Sequence, residues 1–176
     1  MEEKVKDNFL KLYEPLHDNL FRYCRAISGN IEDAEDLLQD TIITTVESFD
    51  KIKNLTSFKS YLFGVASNLH KMRLRRKKFH AEFRDNELAQ IIDHDQNQET
   101  ITEFRMVYEQ IMELPQKMSE ALILFHISDL TLEDIQKIQG GSLSGVKLRL
   151  KRGREKLLSK LNTPQQVKIA MYLFTL

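Results

Sequence analysis

Apolar side chains recur at three- and four-residue spacing along most of the chain, which predicts an all-α fold. The first such stripe spans residues 9–27 and ends at Gly29. Pro15 interrupts this stripe, so a kink there and a helix start near it both stay open. A second helix is predicted from about Asn30, whose side chain can cap it, to about Phe49.

A third helix is predicted after the loop from Asp50 to Thr56, and it completes an N-terminal three-helix bundle. This helix presents apolar and aromatic side chains and ends in six cations, which are Lys71, Arg73, Arg75, Arg76, Lys77 and Lys78. Cationic helix ends are commonly solvated faces, but cations beside aromatic rings also suit single-stranded DNA, where rings stack on bases. The residues alone leave both interpretations open.

The segment from Leu130 to Leu157 has the pattern of two short helices joined by glycines. Thr131 offers a hydroxyl N-cap with an acid three residues later, and Gly140 and Gly141 can end that helix. Ser142 or Ser144 can cap the second helix, whose apolar stripe is Leu143, Val146, Leu150, Leu157 and Leu161. Because its other faces are cationic, we predict a helix-turn-helix that binds the DNA major groove; the alternative is a solvated basic helix.

Composition bounds these predictions. The 176 residues are 41% hydrophobic and 30% charged with few glycines and prolines, which fits one or two small helical domains. The formal net charge is zero, so any nucleic-acid site must be local. Cys24 is the only cysteine, which fits a reducing compartment, and no apolar run approaches the ~20 residues that span a bilayer. A cytoplasmic protein without membrane insertion is therefore expected.

Residues 80–114 hold nine acidic and two basic side chains. The stretch 93–99 within them lacks apolar periodicity, which indicates a tether between two modules.

Enzymatic chemistry finds little support in the residues. The glycines from Gly140 to Gly145 have the spacing of a phosphate-binding loop, but Val146 stands where the lysine must be. The five histidines are scattered singly without ligand spacing, so neither a metal site nor a cofactor is predicted. Cys24 falls on the apolar face of the first helix and is predicted to be a core residue.

Three ordered segments resemble one family. The residues 33–41, DAEDLLQDT, and 57–68, SFKSYLFGVASN, are similar to two motifs of the extracytoplasmic-function (ECF) RNA polymerase sigma factors. Leu114 and Pro115, followed by the helix-turn-helix pattern, resemble that family's C-terminal module. The resemblance covers nearly all of the chain from Phe9 to Leu161.

The resemblance implies sigma region 2 at residues 5–79, an acidic flexible linker at 80–102, and a region 4 helix-turn-helix at 103–161. It implies a protein that binds core RNA polymerase and directs promoter recognition, melting and transcription initiation without catalysing a reaction. The second functional class left open is a stand-alone helix-turn-helix regulator with a helical interaction domain. The apolar tail, 162–176, is expected to pack on the C-terminal module, or else to meet a partner such as the anti-sigma proteins that the family often has.

Binding residues follow from the resemblance position by position. The contact with the clamp coiled coil of the largest polymerase subunit falls to Asp33, Glu35, Asp36, Leu37, Gln39 and Asp40. The loop 50–56 and the third helix imply a minus-ten DNA site of Phe58, Tyr61, Asn68, Arg73, Arg75 and Arg76. The minus-thirty-five duplex site falls to Ser142, Ser144, Lys147, Arg149, Lys151 and Arg152.

Some positions depart from the family pattern. Tyr61 replaces a usual tryptophan, and Leu148 replaces a usual small polar residue. Gln136 occupies a commonly small position and Gly141 a commonly apolar one, while Gly145 stands for a usual threonine. Because glycine costs roughly 1 kcal/mol inside a helix, the start of the recognition helix is predicted to be less rigid than in the family.

Overall fold

The computed structural model describes residues 2–52, 54–77 and 98–174, and every regular element among them is helical. They form an N-terminal and a C-terminal compact unit. Most of the linker predicted at 80–102 lies outside the described residues. In the parts of the chain that are described, no helix has the length and apolarity needed to cross a membrane.

The described part of the N-terminal unit contains four helices. They are α1 (Glu2–Tyr13), α2 (His17–Ser28), α3 (Ile31–Glu47) and α4 (Phe58–Lys77), with 3-10 turns at Glu14–Leu16, Phe49–Lys51 and Leu55–Ser57. Helix α3 packs on both α2 and α4.

The apolar stripe over residues 9–27, for which a kink and a helix start near Pro15 were both open, lies on two helices in the structure. Pro15 lies in the 3-10 turn that separates α1 from α2. Proline lacks the amide hydrogen that a continuous helix would need there, and its ring crowds the preceding turn. The apolar stripe is still buried on both sides of the break, as at Phe9 and Leu20.

Local signals at the start of α3 are confirmed. Gly29 ends α2 with a φ of 85°, a left-handed conformation that glycine adopts without a Cβ clash. The side chain of Asn30 then accepts a hydrogen bond of 2.7 Å from the backbone amide of Asp33, which caps α3.

Three phenylalanines hold the loop before α4 onto the N-terminal core. Phe9, Phe49 and Phe58 contact one another edge to face, with ring centroids 5.6 to 5.9 Å apart. All three are buried. This geometry is favourable for aromatic quadrupoles, and it ties both ends of the 49–57 loop to α1.

Five helices lie in the C-terminal unit between residues 98 and 174. They are α5 (Gln98–Met112), α6 (Gln116–His126), α7 (Leu132–Gln139), α8 (Leu143–Leu158) and α9 (Pro164–Phe174). Because α5 begins at Gln98, the last residues of the predicted linker are helical.

Helix α8 rests on α6 through its buried side. Val146, Leu150 and Leu157 of the predicted stripe are buried there. Gly153 lies between them, and a Cβ at this position would stand only 3.2 Å from Leu122 Cδ1. The missing side chain therefore lets the two helices approach closely.

The C-terminal tail forms α9, which packs on α5. Ala170 is fully buried and Gln166 nearly so, and the Gln166 side-chain amide lies 3.4 Å from Met106 Sδ. The prediction that the tail packs on its own module therefore agrees with this contact. Met171 and Tyr172 remain exposed on the other side of α9.

Candidate functional site

Helix α3 presents an acidic face that is largely open to solvent. Glu35, Asp36, Gln39 and Asp40 are exposed, at the spacing that places them on one side of the helix. Asp33, the fifth polar residue of the predicted set, is half-buried. Its carboxylate accepts a 2.9 Å hydrogen bond from the side-chain amide of Asn30, the N-cap of α3. The acids near the N-terminus also suit the helix dipole.

Leu37 differs from the other residues predicted for this surface. Its side chain is fully buried in the core between α3 and its neighbours, so it supports the face without belonging to it. The motif match did not reveal this difference, but helical spacing could have done so, because Ala34, Leu37, Leu38 and Thr41 share one face of α3 and are all buried.

The acidic face continues into apolar side chains that the sequence interpretation missed. Ile43 is 55% exposed and Val46 is 44% exposed, one and two turns beyond Gln39. The spacing of three and four residues from Gln39 and Asp40 was the available signal. An exposed strip with acids at one end and apolar groups at the other suits a protein partner.

Arg73 of α4 joins the two predicted sites of the N-terminal unit. Its guanidinium forms an ion pair with Asp40 and donates a 3.1 Å hydrogen bond to the backbone carbonyl of Asp33. Thus a residue assigned to the minus-ten site is engaged with the acidic helix in this conformation.

The remaining predicted residues of α4 divide between surface and core. Asn68, Arg75 and Arg76 are exposed, and Tyr61 is 37% exposed. Phe58 is 2% exposed, because its ring belongs to the aromatic cluster, so in this conformation it cannot stack on a base. Its contribution is to position the preceding loop.

Tyr61 is anchored through its hydroxyl. Ser48 Oγ lies 2.7 Å from the tyrosine oxygen and also donates a 2.7 Å hydrogen bond to the carbonyl of Thr44. Since serine has one hydroxyl hydrogen, the tyrosine O–H is the donor to Ser48. The exposed ring is thereby fixed at the edge of α4.

The loop before α4 is shaped by one asparagine. The side chain of Asn54 accepts hydrogen bonds from the backbone amide and the hydroxyl of Thr56, at 3.0 and 2.6 Å. Leu55, between them, is 46% exposed. The loop therefore offers an exposed apolar group beside Tyr61's helix on a braced backbone.

The helix-turn-helix prediction is confirmed in its local details. Thr131 and Asp134 form a reciprocal capping box at the start of α7. Gly140 and Gly141 have φ values of 73° and 89°, and both connect α7 to α8. Ser142, rather than Ser144, caps α8 by accepting a 3.1 Å hydrogen bond from the amide of Gly145.

Two side chains brace the glycine turn. Gln136 donates a 3.0 Å hydrogen bond to the carbonyl of Gly141. The guanidinium of Arg149 donates to the carbonyls of Gly140 and Gly145, at 2.9 and 3.2 Å. Two positions that depart from the family pattern, Gln136 and Gly141, thus bond to each other.

The outer side of α8 is basic. Ser144, Lys147, Lys151 and Arg152 of the predicted duplex site are exposed, and Lys151 lies 3.9 Å from the helix's single acid, Glu155. Arg149 is directed to the turn instead. A row of exposed cations on the second helix of a helix-turn-helix is suited to DNA phosphates.

Burial shifts the pKa of several titratable side chains, among them Cys24 and His126. Burial raises the pKa of the Cys24 thiol to about 12, so it is neutral at neutral pH. Burial and the neighbouring Arg154 guanidinium lower the pKa of His126 to about 4, and the two side chains are 3.0 Å apart. Within the described ranges, no group of three or more metal-ligating side chains occurs.

The described residues thus form two helical units, one with an exposed acidic face on α3 and the other with a helix-turn-helix whose outer side is basic. Residues 12–80 match the family model described as Sigma-70 region 2, and residues 104–157 match Sigma-70, region 4. The chain belongs to the ECF RNA polymerase sigma factor family. Members direct core polymerase to promoters and are transcription initiation factors rather than enzymes.

Two relatives illustrate the similarity. The chain is 29% identical to the ECF RNA polymerase sigma factor EcfG of Rhodopseudomonas palustris over 92% of this chain and 87% of that one. It is 27% identical to ECF sigma factor SigW of Bacillus subtilis, over 89% of this chain and 90% of SigW.

Two solved structures share the fold. The sigma factor RpoE of Bartonella quintana, solved with the anti-sigma factor NepR, gives a TM-score of 0.69 at 21% identity, covering 86% of this chain and 95% of RpoE. CnrH, solved with the cytosolic domain of CnrY, gives a TM-score of 0.65 at 19% identity, covering 90% of this chain and 92% of CnrH.

Proposed function

We propose that this sigma factor works through three of the surfaces described above. The exposed side of α3 docks on the clamp coiled coil of core polymerase, and α4 with its preceding loop engages the melted minus-ten element. Helix α8 binds the minus-thirty-five element as duplex. The proposal rests above all on one observation: the exposed side of α3 is acidic, whereas the end of α4 and the outer side of α8 are basic.

On α3, the docking surface consists of Glu35, Asp36, Gln39 and Asp40, extended by Ile43. Acids give the encounter its direction toward a basic partner, and an apolar end adds buried area once contact is made. Asp33 and Leu37 support this surface from the N-terminal turn and from the core.

At the minus-ten element, Tyr61 provides the stacking ring and Asn68, Arg75 and Arg76 provide polar and cationic contacts. Removing a base from the duplex stack costs a few kcal/mol, which stacking and phosphate contacts can offset. Phe58 holds the loop in place, and Arg73 joins the phosphate contacts when it leaves Asp40.

At the minus-thirty-five element, Ser144, Lys147, Lys151 and Arg152 face the duplex. Ser142 caps the helix whose N-terminal half enters the major groove, and Arg149 fixes the turn before it.

We also propose the domain division given by the sequence, with region 2 at 5–79, a linker at 80–102, region 4 at 103–161 and the tail at 162–176. The chain performs no catalysis itself and acts in the cytoplasm, where polymerase and chromosome are. An anti-sigma protein is a further proposed partner, by analogy with the partners of the two solved neighbours.

Reconstituted transcription tests the central claim. Purified full chain added to core polymerase should permit run-off synthesis from a promoter selected out of a randomised pool. The Asp36→Lys variant should lose at least tenfold in affinity for core polymerase, since like charges would then face each other. Glu14→Lys makes the same charge change at an exposed acid outside α3 and should bind as the wild type does.

The alternative function, a stand-alone helix-turn-helix regulator, leads to a different expected result. In that case the free chain would bind duplex DNA tightly and sequence-specifically, core polymerase would gain no promoter-directed synthesis, and Asp36→Lys would change nothing.

A further inference from the structure

Helix α8 carries one apolar side chain in the middle of its exposed cationic side. Leu148 is 44% exposed. Its helical neighbours at positions −4, +3 and +4 are Ser144, Lys151 and Arg152, and all three are exposed, as is the adjacent Lys147. Leu148 therefore lies at the centre of the side that the proposed function turns toward DNA.

Leu148 does not belong to the buried side through which α8 packs on its own module. The buried side of the helix is formed by Val146, Leu150 and Leu157, which are 0 to 4% exposed. Single exposed leucines are common on protein surfaces, so exposure alone would mean little. The ring of polar and cationic neighbours and the position in the N-terminal half of the helix distinguish this one.

The commitment of Arg149 to the turn sharpens the assignment. Its guanidinium donates to the carbonyls of Gly140 and Gly145, so it is held away from the outer face of the helix. In a helix-turn-helix the N-terminal residues of the second helix reach the base edges. On α8 those residues are Ser144, Lys147 and Leu148.

We propose that Leu148 is a specificity residue that selects thymine in the minus-thirty-five element by packing on its C5-methyl group; this rests on the proposed function. In the major groove, thymine is the base that presents a methyl group, while the other edges present donors and acceptors. A leucine can pair with none of those, and burying it against them would leave them unsatisfied. The flanking cations hold the phosphates on either side and bring the leucine onto the base edge.

Replacing single thymines by deoxyuridine tests this contact, because only the methyl group is removed. Holoenzyme reconstituted from the full chain and core polymerase is assayed on a promoter selected from a randomised pool. Each thymine of the minus-thirty-five region is then replaced in turn. We expect one position at which the wild type binds about threefold to fivefold more weakly, the effect of one methyl contact.

The variant Leu148→Ser should lose a similar factor on the unmodified promoter and should no longer respond to deoxyuridine at that position. Leu158→Ser is the matched control. Leu158 is the last residue of the same helix and is 42% exposed, close to the exposure of Leu148. This control variant should keep both the affinity and the deoxyuridine effect of the wild type.

Two results would overturn the inference. One is a promoter on which no minus-thirty-five thymine is sensitive to loss of its methyl group in the wild type. The other is a sensitive thymine whose effect persists undiminished in Leu148→Ser. Both leave promoter-directed initiation intact, whereas absence of any initiation by the holoenzyme would instead remove the proposed function and this inference with it.

Discussion

Tyr61 shows how one substitution can change the way a ring is held. Tryptophan is the usual residue here in the motif that residues 57–68 resemble, and tryptophan has no hydroxyl. Here the tyrosine O–H donates to Ser48, which is itself fixed to the end of α3 by its bond to Thr44. The smaller ring is therefore oriented by a hydrogen bond to a neighbouring helix.

We predict that Ser48→Ala and Tyr61→Phe each slow promoter melting about twofold to fivefold, because each removes the same hydrogen bond. The double variant should be no slower than either single one. Melting is followed by 2-aminopurine fluorescence in the minus-ten element, with core-polymerase affinity measured alongside and expected to be unchanged. Effects that add in the double variant would show that the two side chains act independently.

His126 makes the stability of the C-terminal unit depend on pH. Its pKa in the folded protein is lowered to about 4, below the ordinary value of 6.5, by burial first and by Arg154 second. The unfolded chain therefore takes up this proton more readily. The fold loses stability as pH falls from about 6.5 toward 4, and no loss comes from this group above that window.

We predict that the urea midpoint of the wild type decreases more between pH 7 and pH 5 than that of His126→Gln, which cannot titrate at this position. Unfolding is followed by circular dichroism at both pH values. Equal decreases in the two proteins would mean that His126 is free to bind a proton in the folded state.

At the scale of elements, the glycine turn between α7 and α8 has less conformational freedom than its two glycines alone would give it. Two glycines with positive φ would by themselves leave the recognition helix loosely attached. The side chains of Gln136 and Arg149 bond to the carbonyls of this turn and compensate locally. The lower rigidity that the glycines predict for the start of α8 stays a prediction, and these two hydrogen bonds oppose it.

We predict that replacing two different cations of α8 affects two different properties, stability for Arg149 and duplex binding for Lys147. Arg149→Ala should lower the free energy of unfolding by about 1 to 2 kcal/mol, because turn carbonyls lose charged donors. Lys147→Ala, at an exposed position, should change stability by less than about 0.5 kcal/mol while weakening duplex binding and its salt dependence. Urea unfolding and DNA titration at two salt concentrations measure both. Equal stabilities of the two variants would contradict the bracing role of Arg149.

The elements differ in how far the sequence alone could predict them. Signals confined to a few residues were sufficient for the caps of α3 and α7, where Asn30 and Thr131 bond three positions ahead. The division at Pro15 was left open, since a proline is compatible with either a kink or a break. Contacts between distant residues, such as Ser48 with Tyr61, leave no periodic trace in a single sequence. For the same reason, the burial of Phe58 was not predictable from its motif.

At the scale of the whole molecule, the ion pair between Arg73 and Asp40 connects two functions. Asp40 lies on the side of α3 that we propose for polymerase, and Arg73 lies on the helix that we propose for promoter DNA. Asp40 cannot serve a polymerase cation and hold Arg73 fully at the same time. Docking on polymerase would therefore make the arginine available to a phosphate.

We predict that Asp40→Asn raises the affinity of the free full chain for a single-stranded minus-ten oligonucleotide about twofold to fivefold. The gain should vanish when Arg73→Ala is added. Asp36→Asn removes the same charge without touching Arg73 and should give a smaller gain. Fluorescence anisotropy without polymerase measures all four proteins, and equal gains from the two asparagine variants would show a general charge effect only.

Gly153 sets the spacing between α8, the helix that we propose for duplex DNA, and α6, the helix that supports it. Leu122 fills the space that a side chain would need, at 3.2 Å from an added Cβ. An alanine there would act as a wedge one methyl group thick, tilting α8 about its own support. Promoter selectivity is thus exposed to change at a buried position that never meets a base, and a screen for altered promoter preference should recover substitutions on this inner side of the helix as well as on its outer one.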